Sequence, residues 1–140
     1  MAQQVVHMAE EGNKAAVRRL FCELLNRTDL AVAGEILAPG YIDHDPVDGG
    51  THGRDGLKAL SRSLRAAFPD GHFTINDQFA EADRVVTRWA FHGTHLGPFA
   101  GRPASGERVW FTAISIHRLV DGLIQEGWTG WEQMQWEPSA

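Results

Sequence analysis

Cysteine is nearly missing from this 140-residue chain. Cys22 is the single one, so no disulfide can form within the chain, and a reducing cytoplasmic setting is the natural expectation. Concentrated positive charge is missing too. Thirteen Lys and Arg stand against eighteen Asp and Glu, for a net charge of −5, and the basic residues are scattered. Phosphate backbones need clustered cations, so no nucleic-acid partner is expected. No apolar run reaches membrane-spanning length, and the opening MAQQVVHMAEEGN has neither the basic start nor the apolar stretch of a secretory signal. No membrane partner is therefore expected. HExxH and paired cysteines are also lacking, and the H-x-x-H of His92 and His95 has no helix to align it. No metal site and no cofactor are expected. Gly97, Gly101 and Gly106 stand between strands, not ahead of a helix, so they do not make a phosphate loop.

What is present fits one domain, residues 1–140, with enough apolar residues to bury a core. Residues 1–12 and 132–140 are the candidates for flexible ends. Asn13, a good N-cap, opens a helix through Leu25 in which Val17, Leu20, Phe21 and Leu24 share a face and Cys22 is expected buried. Asp29 caps a short helix from Leu30 to Leu37, closed by Pro39-Gly40. Tyr41–Pro46 is extended and runs into an irregular loop, Val47–Gly53. A third helix spans Asp55–Phe68, with Leu57, Leu60, Leu64 and Phe68 inward and Arg65 on its wet side.

The remainder alternates as strands: His72–Phe79, Arg84–His92, Arg108–Val120 and Leu123–Trp131. Asp121-Gly122 joins the last two, and Asp-Gly between apolar runs predicts a type I′ turn. Helices gathered before an antiparallel sheet define an α+β domain, here three N-terminal helices on a strongly curved antiparallel sheet that forms an open cone. Parity points Val85, Thr87, Trp89 and Phe91 inward, with Val109, Phe111, Ala113, Ser115 and His117. The other row of the third strand, including Trp110, Ile114 and Ile116, is also apolar. A second copy of the chain packed sheet to sheet is its expected cover, giving a homodimer. Gly127 and Gly130 mark a bulge or a close approach in the last strand and leave the facing of Thr129 open.

The candidate site residues follow from this frame. His44, oriented by Asp43 or Asp45, sits where an extended segment meets a loop and offers acid–base chemistry; the same residues also suit local turn capping. Ser115 and His117 offer polar contacts in an apolar pocket. Trp89, Phe91, Phe111, Trp128 and Trp131 are an aromatic wall for a flat ligand, or plain core.

The ordered segments NKAAVRRLFCELLNRTDL, LAPGYIDHDP, GRDGLKAL…LRAAFPD, DRVVTRWAFHGTHLGPF and IHRLVDGLIQEGW resemble the SnoaL-like polyketide cyclases of the NTF2-like superfamily. The resemblance covers Asn13 to Trp131 and implies the cone fold, usually dimeric, and cofactor-free ring closure of aromatic polyketides. It implies an acid–base aspartate just after the Trp of the final strand, where this chain has Thr129. A helix-1 tyrosine is replaced by Leu25, and a polar residue of the penultimate strand by Ala113. A threonine hydroxyl cannot take a proton from a carbon acid near neutral pH as a carboxylate can.

The expected function is a cofactor-free cyclase or isomerase of secondary metabolism on an apolar polyketide-like intermediate. His44, Asp45, His117 and Thr129 are its candidate catalytic groups. Phe21, Leu25, Tyr41, Phe68, Trp89, Phe91, Phe111, Ala113, Ser115 and Trp128 are its candidate substrate contacts. A non-catalytic small-molecule carrier is the alternative. Epoxide opening by water is a third reading, which would need Arg88 or Arg102 beside Asp43 or Asp45.

Overall fold

The structure is a computed structural model that describes residues 1–47, 49 and 53–138. Helix α1 covers Ala2–Arg19 and passes without a break into a π-helical segment, Leu20–Leu25. The wide turn closes with Asn26 N–H donating to the Phe21 carbonyl at 2.9 Å. Asn13 is thus interior to a helix, not its cap. The polar opening residues extend the helix because nothing in them breaks it. Cys22 is exposed, contrary to expectation, because Leu20, Phe21 and Leu24 take the buried side and leave it facing out.

Helix α2, Val32–Ile36, is shorter than expected, and Asp29 serves it through its backbone carbonyl, which accepts from Val32 N–H. Pro39 and Gly40 do not terminate that helix. They lie inside strand β1, Leu37–Asp43, at the sheet edge, where a proline costs no ladder bond. Helix α3 covers Arg54–Ala67. The loop expected over Val47–Gly53 falls mostly outside the described residues.

Strands β2 (His72–Glu81), β3 (Arg84–Thr94), β4 (Arg108–Val120) and β5 (Leu123–Glu137) form a meander. The five-stranded sheet has the order β1-β5-β4-β3-β2, with β1 parallel to β5 and the other pairs antiparallel. Residues 132–137, expected flexible, continue β5 against the start of β4. Asp121 and Gly122 have φ of 51° and 79°, as a type I′ turn requires. Ladder irregularities at Ile75/Asp77, Thr112/Ala113 and Arg118/Leu119 bend the sheet, since an extra residue on one strand sharpens its twist. None falls at Gly127 or Gly130.

Register aligns the inward residues in layers. Phe73, Phe91, Phe111 and Met134 make one, Ile75, Trp89, Ala113 and Trp131 the next. Gln78, Thr87, Ser115 and Thr129 form a polar layer, followed by Ala80, Val85, His117 and Gly127. The helices close over this face. Ser61 Oγ donates to the Leu24 carbonyl at 2.6 Å, and the Asn26 side chain pairs with both backbone groups of Phe73. Arg65 is not merely solvated: Nη2 donates to the Asn26 carbonyl at 2.6 Å and Nη1 to those of Pro69 and Gly71.

Candidate functional site

The curled sheet and the helices enclose a cavity with about 610 Å³ of empty space counted out through its mouth; the part open to the centre of a water molecule is about 70 Å³. That holds a few waters or the slender part of an apolar ligand. The π-helical segment contributes Leu20, Phe21 and Leu25, and α3 contributes Leu57, Leu60 and Leu64. Phe73, Trp89, Phe111 and Trp131 make the aromatic sheet wall. Phe21 lies 5.4 Å from Trp89, and Trp89 meets Phe111 and Trp131 edge to face at 5.9 and 5.7 Å.

Polar groups gather on the wall formed by β1, β4 and β5: Tyr41, Asp43, Asp45, Ser115, His117 and Thr129. Trp89 Nε1–H donates to Ser115 Oγ at 2.9 Å, and Ser115 Oγ lies 2.8 Å from Thr129 Oγ1. Asp45 Oδ2 accepts the Thr129 backbone N–H at 2.9 Å, while its own N–H donates to Asp43 Oδ1 at 3.0 Å. His44 N–H donates to the Gly127 carbonyl at 2.9 Å. The β1–β5 ladder is therefore prolonged past Asp43 by a backbone bond and then by a carboxylate standing in for a carbonyl.

His117 is buried deep in the wall, with Phe21 edge-on at 6.4 Å. Burial pushes its pKa down to about 4, and Nδ1 has no partner among the described residues. A Cβ at Gly127 would stand 2.8 Å from His117 Cδ2 and 3.6 Å from Tyr41 Oη, so glycine is what lets the ring lie against β5. Burial, helped by the charge of Asp43, raises the Tyr41 phenol well above its usual range, and it stays a neutral hydroxyl.

Of the expected catalytic residues, Asp45, His117 and Thr129 line the cavity and His44 does not. The His44 ring is outside, stacked on Trp128 at 5.0 Å with Nε2 at 2.9 Å from Glu126 Oε1. Hydrogen bonds from His44 and Arg118 hold the Glu126 carboxyl below its usual range. Of the expected contacts, Phe21, Leu25, Tyr41, Trp89, Phe111 and Ser115 line the cavity. Trp128 pairs with Ile116 on the outer row, under the Arg84 guanidinium at 5.3 Å. Phe91 and Phe68 pack on one another behind the wall, and Ala113 is buried beneath Trp89 and Trp131. Trp131, expected in the aromatic wall, is in the lining, and Leu20, Val47, Leu60 and Phe73 enter it through the shape of the cone. For Phe73, strand alternation already pointed that way.

His92 is exposed beside His72, whereas His95 is buried, with Nδ1 on Ser105 Oγ at 2.9 Å, so the two do not converge on one site. Arg88 is exposed, and Arg102 lies 3.7 Å over the Trp136 ring. Neither borders the cavity, so the Arg/Asp cluster that epoxide opening needs is not formed.

A curved sheet under three helices, with an apolar cavity polar on one wall, defines an α+β cone. The sequence profile of the SnoaL-like polyketide cyclases matches residues 15–138, and the chain belongs to that family. Aklanonic acid methyl ester cyclase DnrD of Streptomyces peucetius is 30% identical over 93 residues, 66% of this chain and 62% of the relative. The corresponding cyclase DauD of Streptomyces sp. (strain C5) is also 30% identical over 93 residues, 66% of this chain and 56% of the relative. The chain thus spans 62% and 56% of the curated relatives it matches. Among solved structures, TsrD of Streptomyces laurentii aligns with a TM-score of 0.74 at 30% identity, over 84% of this chain and 89% of that one. IdmH of Streptomyces antibioticus aligns with a TM-score of 0.72 at 30% identity, over 86% of this chain and 91% of that one.

Proposed function

We propose that this protein is a cofactor-free cyclase or isomerase of secondary metabolism that acts in the cytoplasm on an apolar polyketide-like intermediate. Membership in the family supports a cyclase-type function. The observation that carries the reading here is the cavity itself, aromatic on one side with Asp45, Ser115, His117 and Thr129 gathered on the other. Such a site holds a chain folded in a reactive conformer away from water, and orientation alone removes several kcal/mol from a ring-closure barrier. Phe21, Leu25, Tyr41, Trp89 and Phe111 are the contacts for the apolar body.

A carrier without chemistry is the second reading. Placement of His117 and Ser115, both buried, in the cavity wall favours the enzyme, because a purely apolar pocket would hold an apolar cargo without buried polar groups. We further propose that the outer sheet face pairs two copies. Phe79, Val86, Ile116 and Trp128 stand in one register row across four strands, beside exposed Trp110 and Ile114.

The decisive experiment incubates the pure protein with aklanonic acid methyl ester, the compound in the names of the two cyclases, and with any small molecule extracted from protein purified from its own host. Ring-closed product formed faster than in buffer is the expected result. Tight binding of the extracted compound without turnover of its open-chain precursor would establish the carrier instead.

A further inference from the structure

Three features of the cavity wall meet at Thr129. The first is a buried chain of donors. An indole N–H can only donate, so Trp89 Nε1 gives its hydrogen to Ser115 Oγ at 2.9 Å. Ser115 is buried, and its own hydroxyl hydrogen needs an acceptor. Thr129 Oγ1 lies 2.8 Å from Ser115 Oγ and can accept. Either hydroxyl of this pair can donate; with Ser115 as the donor the chain runs Trp89 to Ser115 to Thr129. It leaves the Thr129 hydrogen directed to the cavity, on an oxygen polarised by the donors behind it.

The second feature is the carboxylate on the same residue's backbone. Asp45 Oδ2 accepts the Thr129 N–H at 2.9 Å, and Asp45 borders the cavity. The third is position: Thr129 is half-buried in the cavity wall and Asp45 is exposed at its border, where an entering ligand meets both.

We propose that Thr129 and Asp45 form a two-point subsite for a ketone with an enolisable C–H next to its carbonyl. The Thr129 hydroxyl donates to the carbonyl oxygen. The Asp45 carboxylate takes the α-proton: the C–H bond breaks, an O–H bond forms on Asp45, and the electron pair moves into the C–C bond as the carbonyl oxygen becomes an enolate held by Thr129. The proton then returns from Asp45 to carbon or to the new oxygen when the enolate attacks. Asp45, from the loop after β1, thus supplies the carboxylate function that β5 lacks at Thr129, and Ser115 and Trp89 act as positioning residues behind the hydroxyl. This deepens the cyclase reading and rests on it for the substrate's fit, yet its proton transfer can be observed without any ring closing.

The test follows deuterium entry from D₂O into the methyl group of 2-acetylnaphthalene, a flat aromatic ketone, by NMR. Wild-type protein should exchange it faster than buffer. Asp45→Asn keeps an oxygen to accept the Thr129 N–H, so the fold persists, and exchange should fall by about a hundredfold. Thr129→Val, which keeps shape and backbone, should lose about a hundredfold, in line with the value of a single well-placed donor. Adding Thr129→Asp to Asp45→Asn should restore exchange, since a carboxylate returns to the same wall. No exchange above buffer by wild type, or undiminished exchange in Asp45→Asn, overturns the proposal. Ketone exchange without ring closure in the cyclase assay would keep the subsite and remove the cyclase reading. Ring closure at the wild-type rate by Asp45→Asn would do the reverse.

Discussion

His117 shows how one residue couples the site to stability. It is buried within the wall, neutral, with its pKa pushed down to about 4. Unfolding restores an ordinary imidazole near 6.5, so between pH 6.5 and 4 the unfolded chain binds the extra proton. Stability is then complete above pH 6.5 and falls as the pH drops toward 4, by up to about 3 kcal/mol from this group. Urea melts across that range should show the decline, and His117→Leu should flatten it. An identical slope in the variant would mean that the ring is not held neutral by burial. His44 and Trp128 make the contrasting case. Their residue types suggested a site, but they stack on each other outside the cavity, where a histidine and a tryptophan brace the loop against β5.

At the scale of elements, the junction of the π-helical segment and β2 holds the cavity's helical wall in place. Asn26 Nδ2 donates to the Phe73 carbonyl at 2.9 Å, and Oδ1 accepts the Phe73 N–H at 2.7 Å. An asparagine thereby completes the exposed edge of β2 and fixes Phe21 against Phe73 and Trp89. Asn26→Ala should cost about 1–3 kcal/mol by leaving two backbone groups unpaired. Denaturant midpoints with an unchanged slope would show it; a loss under about 0.5 kcal/mol would mean that water replaces the side chain at no cost. The same scale shows what alternation could reveal. Parity along β3 and β4 predicted the inward rows, and the type I′ turn predicted their hairpin with β5. The partner of β1 was not legible, because a seven-residue edge strand pairs in parallel with a segment about eighty residues further on.

For the whole molecule, the outer face carries the proposed assembly. Trp110, Ile114 and Ile116 are each 37% exposed along one strand. Paired across two copies, this face would bury the apolar row that the helices leave uncovered. Sedimentation at micromolar protein should give a dimer, and Ile116→Glu should give a folded monomer with intact binding of 2-acetylnaphthalene. A wild-type monomer would assign the face some other cover.

The sequence by itself determined the class of fold, the inward rows of β3 and β4, the hairpin at Asp121-Gly122 and the family. All of these rest on local periodicity, turn chemistry or ordered motifs, which are written in neighbouring residues. Tertiary structure decided which candidates share one cavity. Asp45 and Thr129 are brought together by the β1–β5 pairing, while His44, adjacent in sequence to Asp45, is turned outward by the same ladder. Gly127 shows the same division: its lack of a side chain is visible in the sequence, but only the fold shows the His117 ring that occupies the space. Convergence of distant segments depends on register and curvature, and neither is set by any one stretch of the chain.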